Sequence, residues 1–298
     1  MKKLLISGSN DPYFNVAAEK YLFDHFTDET LFFWRNDPCV VIGRNQNSWL
    51  ECDPAYMGEH GIRLVRRYTG GGAVYQDPGN LNYSWFTHEK GIEPLLGWLT
   101  AGLQELGIRS ITGSRNDLLA DGRKFSGTAS MSAAGRYLYH GTLMISVDRQ
   151  NLAGALKPSP LKMKSHGIDS VRSRVINLQD INPQITAEQI IAAVSAQYGP
   201  YEAGSLPALN VIRRLRDELA DPVWLMNETP AFETTLEYRL KDGIWQVRLD
   251  VREGLVRQAK VYTDSLKIHD TKAIAQRLQD IPFDETEIRQ ILEEYADR

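Results

Sequence analysis

The sequence predicts an α+β protein: a large, mixed and mostly antiparallel sheet domain with flanking helices, then a small C-terminal α+β domain. Three observations lead there. Alternating, strand-like segments are interleaved with segments of helical period, yet many connections are hairpin turns, so the regular βαβ alternation of a doubly wound fold is absent. The texture changes after residue 222, where three strands follow one another across the turns Asp242-Gly243 and Glu253-Gly254. The length of 298 residues suits one large domain or two.

Asn10-Asp11-Pro12 opens a helix, a capping residue followed by proline in the first turn. Phe14, Ala17, Ala18, Tyr21 and Leu22 continue it at helical spacing. Leu31–Trp34 and Val40–Gly43 read as strands joined by the turn Asn36-Asp37-Pro38, and a short helix follows Asp53-Pro54. Ile62–Arg66 is a strand leading into three glycines at 70–72, and Leu81–Thr87 is another. Pro94–Leu106 is helical, with Leu95, Leu96, Leu99, Leu103 and Leu106 on one side. From Asn116 to Val147 strands alternate with tight turns at Asp121-Gly122 and around Gly135. Thr186-Ala187-Glu188-Gln189 is a capping box opening a helix to Tyr198.

The Pro- and Gly-rich stretch Gly199–Pro207 reads as a linker, and Ala208–Ala220 as a helix. Strands at 232–240, 244–251 and 255–263 precede helices near 271–279 and 284–295. The expected division is a catalytic-type domain over 1–205, a connecting helix over 206–222 and an accessory domain over 223–298.

Lys plus Arg number 34 and Asp plus Glu 38, a net charge of −4 that argues against sequence-independent nucleic-acid binding. The N-terminus has three consecutive apolar residues, Leu4-Leu5-Ile6, too few for an export signal, and no stretch nears the ~20 apolar residues of a membrane span. The expectation is a soluble, reduced, cytoplasmic protein. Its two cysteines, Cys39 and Cys52, then read as small buried hydrophobes.

Chemistry concentrates in three segments. In Arg66–Asn80 the triple glycine lets backbone N–H groups approach an anion, and two arginines add planar donors suited to phosphate. It is not a Walker A loop, because the Gly-Lys-Ser/Thr ending is missing; a tight surface turn with solvated arginines is the competing reading. In Asn116–Ala129, Lys124 stands in a run of small and apolar residues. Facing a pocket, its ammonium would neutralise a carboxylate and a phosphate together; otherwise it is an exposed strand lysine. Asp117 is either a carboxylate for a divalent cation or a turn residue. In Tyr139–Met144, His140 is either a hydrogen-bonded structural histidine, the favoured reading, or a catalytic one. No metal-binding His-x-x-x-His pair and no Gly-x-Ser-x-Gly elbow is present.

In this order and spacing the segments resemble the lipoate–protein ligase A family, of the biotin/lipoate protein ligase superfamily. That family carries Arg-Arg-x-Ser/Thr-Gly-Gly-Gly-x-Val-x-His-Asp-x-Gly-Asn, then Asn-Asp-Leu, Arg-Lys-x-Ser-Gly-x-Ala and His-Gly-Thr-Leu. Here these are Arg66–Asn80, Asn116–Leu118, Arg123–Ala129 and His140–Leu143. Gly167–Leu178 looks like the segment closing the family's large domain. Pro230-Ala231-Phe232 and Lys260–Leu266 are similar to its two-domain members' accessory domain.

The resemblance implies ATP-dependent conversion of lipoate to lipoyl-AMP. The lipoyl group then passes to a lysine on a 2-oxoacid dehydrogenase E2 lipoyl domain or on the glycine-cleavage H protein. It implies that Lys124 bridges the lipoyl carboxyl and the α-phosphate, and that Arg67 with the backbone of Gly72, Ala73, Val74 and Tyr75 lines the nucleotide pocket. Asn116 and Asp117 would hold phosphate and Mg²⁺. Gly71, Gly72 and His140 would join Lys124 around lipoate, and Leu31, Phe33 and Val74 would furnish an apolar tunnel. It also implies an accessory domain that swings, with a hinge after Tyr198, and leaves Arg172 and Arg174 either docking an acceptor or salt-bridging within the large domain.

Two positions depart from the pattern. Gln76 replaces the usual histidine; it can hydrogen bond but not titrate near neutral pH, so no acid–base role transfers. Ser130 and Met131 stand where many members have a longer polar or basic residue. The alternatives are an octanoyl- or lipoyl-transferase, which often uses a cysteine nucleophile, and a non-catalytic lipoyl or nucleotide sensor.

Overall fold

The computed structural model describes residues 1–113, 116–157, 175–222, 224–225, 232–265 and 269–297. Arg172, Arg174, Gly167, Pro230, Ala231 and Leu266 lie outside them. The chain divides into two compact units, Met1–Asp221 and Pro222–Arg298. Among the described residues no helix is long and apolar enough to cross a membrane.

The first unit is built on six strands: β1 (Lys3–Ile6), β2 (Thr30–Trp34), β6 (Asn80–Thr87), β10 (Thr128–Ala133), β11 (Arg136–Met144) and β12 (Glu202–Gly204). Their spatial order is β10-β11-β6-β2-β1-β12. The pairs β10/β11, β11/β6 and β6/β2 are antiparallel, while β2/β1 and β1/β12 are parallel. A second sheet has β3 (Cys39–Ile42) between β4 (Arg63–Arg66) and β5 (Val74–Gln76). A third joins β7 (Ile111–Thr112), β8 (Leu118–Ala120) and β9 (Arg123–Ser126). The mixed, mostly antiparallel α+β architecture is the expected one.

The centre of the large sheet is buried on both faces, and β6 shows how sequence alternation serves each. Leu81, Tyr83 and Trp85 point into the main apolar core. Asn82 and Ser84, one residue out of phase, face the other way. Helix α4 (Glu93–Glu105) closes the core with Leu95, Leu96, Leu99 and Leu103, packing against α6 (Ala187–Tyr198). Thr186 caps α6 through the Gln189 N–H, and the Gln189 side chain accepts from the Thr186 N–H in return. Helix α1 (Pro12–His25) is capped by Asp11, and α3 (Pro54–Glu59) by Asp53.

Some elements differ from expectation. The turn Asn36-Asp37-Pro38 joins β2 and β3 as expected, but the two belong to different sheets, so it carries the chain from one to the next. Helices α2 (Ser48–Glu51) and α5 (Arg149–Ala155) add short turns, the latter capped by Asp148. The Gly199–Pro207 stretch, expected as a linker, contains β12, whose three residues pair with Lys3, Leu4 and Leu5 as a short exposed edge. Helix α7 (Leu209–Ala220), expected as a connector, packs on α1 inside the first unit. Arg216 Nε donates to Asp11 Oδ2 at 2.8 Å, with the guanidinium over the Tyr13 ring.

The second unit is the meander β13 (Phe232–Leu240), β14 (Gly243–Arg252) and β15 (Leu255–Thr263). Trp245, Val247, Leu249 and Val251 alternate inward against α8 (Thr271–Arg277) and α9 (Glu285–Ala296), whose Ile274, Ile288 and Leu292 are buried. Asp242 anchors this unit, accepting from Trp245 Nε1 at 2.8 Å and Ser265 Oγ at 2.7 Å, with His269 Nε2 2.7 Å away.

Candidate active site

A cavity of about 290 Å³ lies between the large sheet and the β3–β5 sheet. Its floor comes from β2, β6 and β11 (Trp34, Asn82, His140, Thr142), and its roof from Val41, Arg67, Val74 and Gln76. Gly71, Gly72, Ala73, Lys124, Gly127, Thr128 and Ala129 complete the lining. Exposure runs in one direction. Gly71 and Gly72 are exposed and the Lys124 side chain is 42% exposed. Trp34, Gln76, Asn82, Glu19 and His140 are buried. The cation and the glycines therefore stand at the mouth.

The glycine loop owes its course to close approach. A Cβ on Gly43 would sit 2.2 Å from the Gly71 carbonyl oxygen, so two backbone segments touch where no side chain fits. Gly71 has φ +94°, which glycine adopts without strain. Arg67 holds the loop from beneath. Its Nε donates to Thr69 Oγ1 at 2.9 Å, Nη1 to Val41 O at 3.1 Å, and Nη2 to Gly70 O at 2.6 Å and Gly72 O at 2.9 Å. Burial draws its pKa down to about 10, against the attraction of Glu19, and leaves it charged at neutral pH. Arg67 was expected to line a nucleotide pocket, and it does line this cavity. In this structure its donors are committed to the loop and to Val41. Arg66 is fully buried and donates to the Gly43, Arg44 and Gln46 carbonyls, so it is not a solvated arginine either.

Lys124 on β9 places Nζ 2.9 Å from Asp117 Oδ1, beside Gly127, where a Cβ would come within 3.1 Å of the ammonium. Asp117 reaches the cavity through this pair, though it is not among the lining residues. Asn116 lies further out, in a left-handed conformation with φ 60°, its carbonyl accepting from Thr128 Oγ1 at 3.2 Å. Among the described residues no group of three His, Cys, Asp or Glu could hold a metal ion. Tyr75 turns its side chain away into the core, and burial raises its phenol.

His140 sits in a buried chain of hydrogen bonds. Thr69 Oγ1 lies 2.9 Å from Nε2, and Glu19 Oε1 is 2.7 Å from Nδ1. Ser84 Oγ donates to the same Glu19 oxygen at 2.5 Å, and Trp34 Nε1 donates to Ser84 Oγ at 3.1 Å. Thr69, already accepting from Arg67, can give its own proton to Nε2, which leaves Nδ1–H to donate to Glu19. The ring is thus hydrogen-bonded at both nitrogens and also borders the cavity.

The apolar lining also corrects the sequence reading. Leu31 and Phe33 face the core side of β2, are fully buried there and line no part of this cavity. The neighbour in the opposite phase, Trp34, lines the cavity with Val16, Val41 and Val74. Side chains in a strand alternate, so a choice one residue off selects the wrong face. Sequence reasoning also passed over Glu19 and Asn82. Their signals are a carboxylate four residues after Asn15 on the buried side of α1, and a polar residue alternating with Leu81 and Tyr83. Cys39 and Cys52 line no part of the cavity; both are buried, which pushes each thiol up to about 12.

Residues 11–199 match the family model of the lipoyl protein ligase A/B catalytic domain, and residues 229–297 that of the bacterial lipoate protein ligase C-terminus. A lipoate-protein ligase A of Psychrobacter cryohalolentis is 33% identical, the match covering 96% of this chain and 90% of that one. A solved bi-partite lipoate protein ligase of Thermoplasma acidophilum, from a study that includes its E2 lipoyl domain, is similar with TM-score 0.68 and 26% identity, over 77% of this chain and 96% of that one. A lipoate-protein ligase A bound with ATP is similar with TM-score 0.63 and 25% identity, over 75% and 95% of the two chains.

Proposed function

The chain belongs to the lipoate–protein ligase family, and from that premise we propose how its own residues carry an ATP-dependent lipoate ligation. A carboxylate is a poor acyl donor because its oxygen leaves badly; joining it to AMP supplies a good leaving group. The carboxylate oxygen attacks the α-phosphorus and the bond to pyrophosphate breaks. Two anions must meet for this, so fixed positive charge and oriented N–H groups are needed at the meeting point. Lys124 is the cation at the cavity mouth, and the backbone N–H groups of Gly71, Gly72, Ala73 and Val74 are the donors. In the second step a lysine amine of the acceptor attacks the acyl carbon, AMP leaves, and an amide forms.

The observation that carries this reading is the placement of Lys124 beside the glycine loop at the open end of a cavity whose far end is buried. Arg67 acts as a positioning residue through the loop it clamps. His140 and Glu19 shape the inner end. A carboxylate plus phosphate oxygens is an ordinary Mg²⁺ ligand set; Asp117 would hold the ion with the nucleotide through the oxygen not facing Lys124, and the ion would offset phosphate charge. Acceptors are lipoyl domains of 2-oxoacid dehydrogenase E2 subunits and the H protein. A cysteine-nucleophile transferase finds no support here, since both cysteines are buried away from the cavity.

The test is to incubate the protein with lipoate, labelled ATP and an acceptor domain. AMP and pyrophosphate should form with a matching mass increase on the acceptor. Lys124→Ala should keep its circular-dichroism spectrum and lose adenylate synthesis by about 100-fold or more, the usual scale for removing an electrostatic contact to the transition state. An unchanged rate in that variant overturns the assignment.

A further inference from the structure

A directed relay of amides ends on Gln76. Asn15 Nδ2 donates to the Ser9 carbonyl at 2.9 Å and the Arg35 carbonyl at 2.8 Å. Backbone carbonyls only accept, so the orientation of Asn15 is fixed. The same nitrogen lies 2.9 Å from Asn36 Oδ1, its two hydrogens shared among the three acceptors; a nitrogen of Asn36 in that place would face a donor, which fixes Asn36 in turn. Asn36 Nδ2 donates to Gln76 Oε1 at 2.8 Å. From the other side Asn82 Nδ2, held by the Trp34 carbonyl at 3.3 Å, donates to Gln76 Oε1 at 3.2 Å. Turning the Gln76 amide over would set its N–H groups against two fixed donors. Nε2 is therefore the group left on the cavity side, in a residue only 3% exposed, and among the described residues it makes no hydrogen bond.

Nε2 is open to the empty cavity, and a tail that fills this end buries its two hydrogens; left without an acceptor they are then costly, so the molecule that fills this end is selected for carrying one. On the ligase reading the head of an acyl substrate is held at the mouth by Lys124, and the Glu19 carboxylate further in would repel a second anion. What reaches Gln76 is the tail, along Val16, Trp34, Val41 and Val74. A plain alkyl tail leaves both hydrogens unmatched, whereas sulfur is a weak acceptor.

We propose that Gln76 is a specificity-determining residue that favours an acyl tail bearing sulfur, such as a dithiolane, over an all-carbon chain of the same length. This rests on the lipoate–ligase reading above and adds the choice between lipoate and octanoate.

The test measures kcat/KM for adenylation of (R)-lipoate and of octanoate by pyrophosphate release, with KM for ATP alongside, in wild type and in Gln76→Met, which keeps the length and removes the donors. The expected result is a lipoate-to-octanoate ratio about tenfold lower in the variant, as for loss of one buried polar match, with KM for ATP within about twofold of wild type. Because Met also removes the acceptor for Asn36 and Asn82, which puts the fold at risk, the wild-type protein supplies a second arm. An octanoate analogue with one thioether sulfur near the chain end should be a better substrate than octanoate. A ratio unmoved in a folded Gln76→Met variant, a change confined to KM for ATP, or a thioether analogue no better than octanoate overturns the proposal while lipoate activity stands. Wild-type protein that forms no lipoyl-adenylate overturns the ligase reading and this proposal with it.

Discussion

Arg67 and Lys124 both read as phosphate ligands in the sequence, and the structure sets them apart by burial. Arg67 is 7% exposed and spends its N–H groups on Val41, Thr69, Gly70 and Gly72. A lysine offers three donors from one nitrogen and cannot span those four acceptors. Arg67→Lys should therefore lose about 2–3 kcal/mol of stability, from buried acceptors left unmatched, and raise KM for ATP as the loop loosens. Denaturant midpoints with ATP titrations check this; unchanged stability with a lower kcat would put the guanidinium on the nucleotide instead. The cysteines make a second test. Burial pushes both thiols up to about 12, so at neutral pH neither offers a thiolate. Treating the native protein with iodoacetamide should leave adenylate synthesis and intact mass unchanged. Loss of activity on alkylation of Cys39 or Cys52 would revive the transferase reading.

Secondary structure was legible where a local signal marks its ends. Asp11, Asp53 and Thr186 each cap the helix expected after them. The turns at Asp121-Gly122 and Glu253-Gly254 take the left-handed conformations that such residues permit. Strands of two to four residues, β1, β7 and β12, have too short a pattern to read, and β12 was hidden by the Gly and Pro around it. Which sheet a strand joins, and which face turns to the cavity, depends on partners distant in sequence; hence β2 and β3 were not separated, and Leu31 and Phe33 stood in for Trp34. The motif residues that line the cavity, Gly71, Gly72, Lys124 and His140, were legible because a close backbone approach, a fixed charge and a buried hydrogen-bonding ring each call for a residue type. The relay that orients Gln76 was not, because Asn15, Asn36, Gln76 and Asn82 come from four separate segments. One packing consequence is testable. Gly43→Ala places a Cβ 2.2 Å from the Gly71 carbonyl oxygen, and backbone cannot swing aside as a side chain can. The variant should fold with a displaced glycine loop and show a raised KM for ATP; a wild-type KM would mean that the loop does not serve the nucleotide.

Two compact units, each with its own apolar core, should unfold as two cooperative events and not one. Substitutions confined to one unit separate the events. Thr186→Ala removes the α6 cap in the first unit, at a cost of about 1 kcal/mol. For a unit of that size this lowers the midpoint by about 2–4 °C; adenylation should be unaffected, since Thr186 is not a cavity residue. Asp242 provides the complementary probe in the second unit. Burial acts to raise its carboxyl, but hydrogen bonds from Trp245, Ser265 and His269 to the charged form outweigh that and hold it down to about 2. A carboxyl with a folded pKa below its unfolded value near 3.9 adds stability that is fully present above pH ~4. That stability is lost as pH falls through the folded value. Calorimetry of the full chain between pH 5 and pH 2 should therefore show the second unit's transition falling steeply below pH ~4. In Asp242→Asn the same transition should start lower and lose this part of its pH dependence, while the first unit's transition matches wild type. A single transition that both variants shift together would show that the units do not unfold independently.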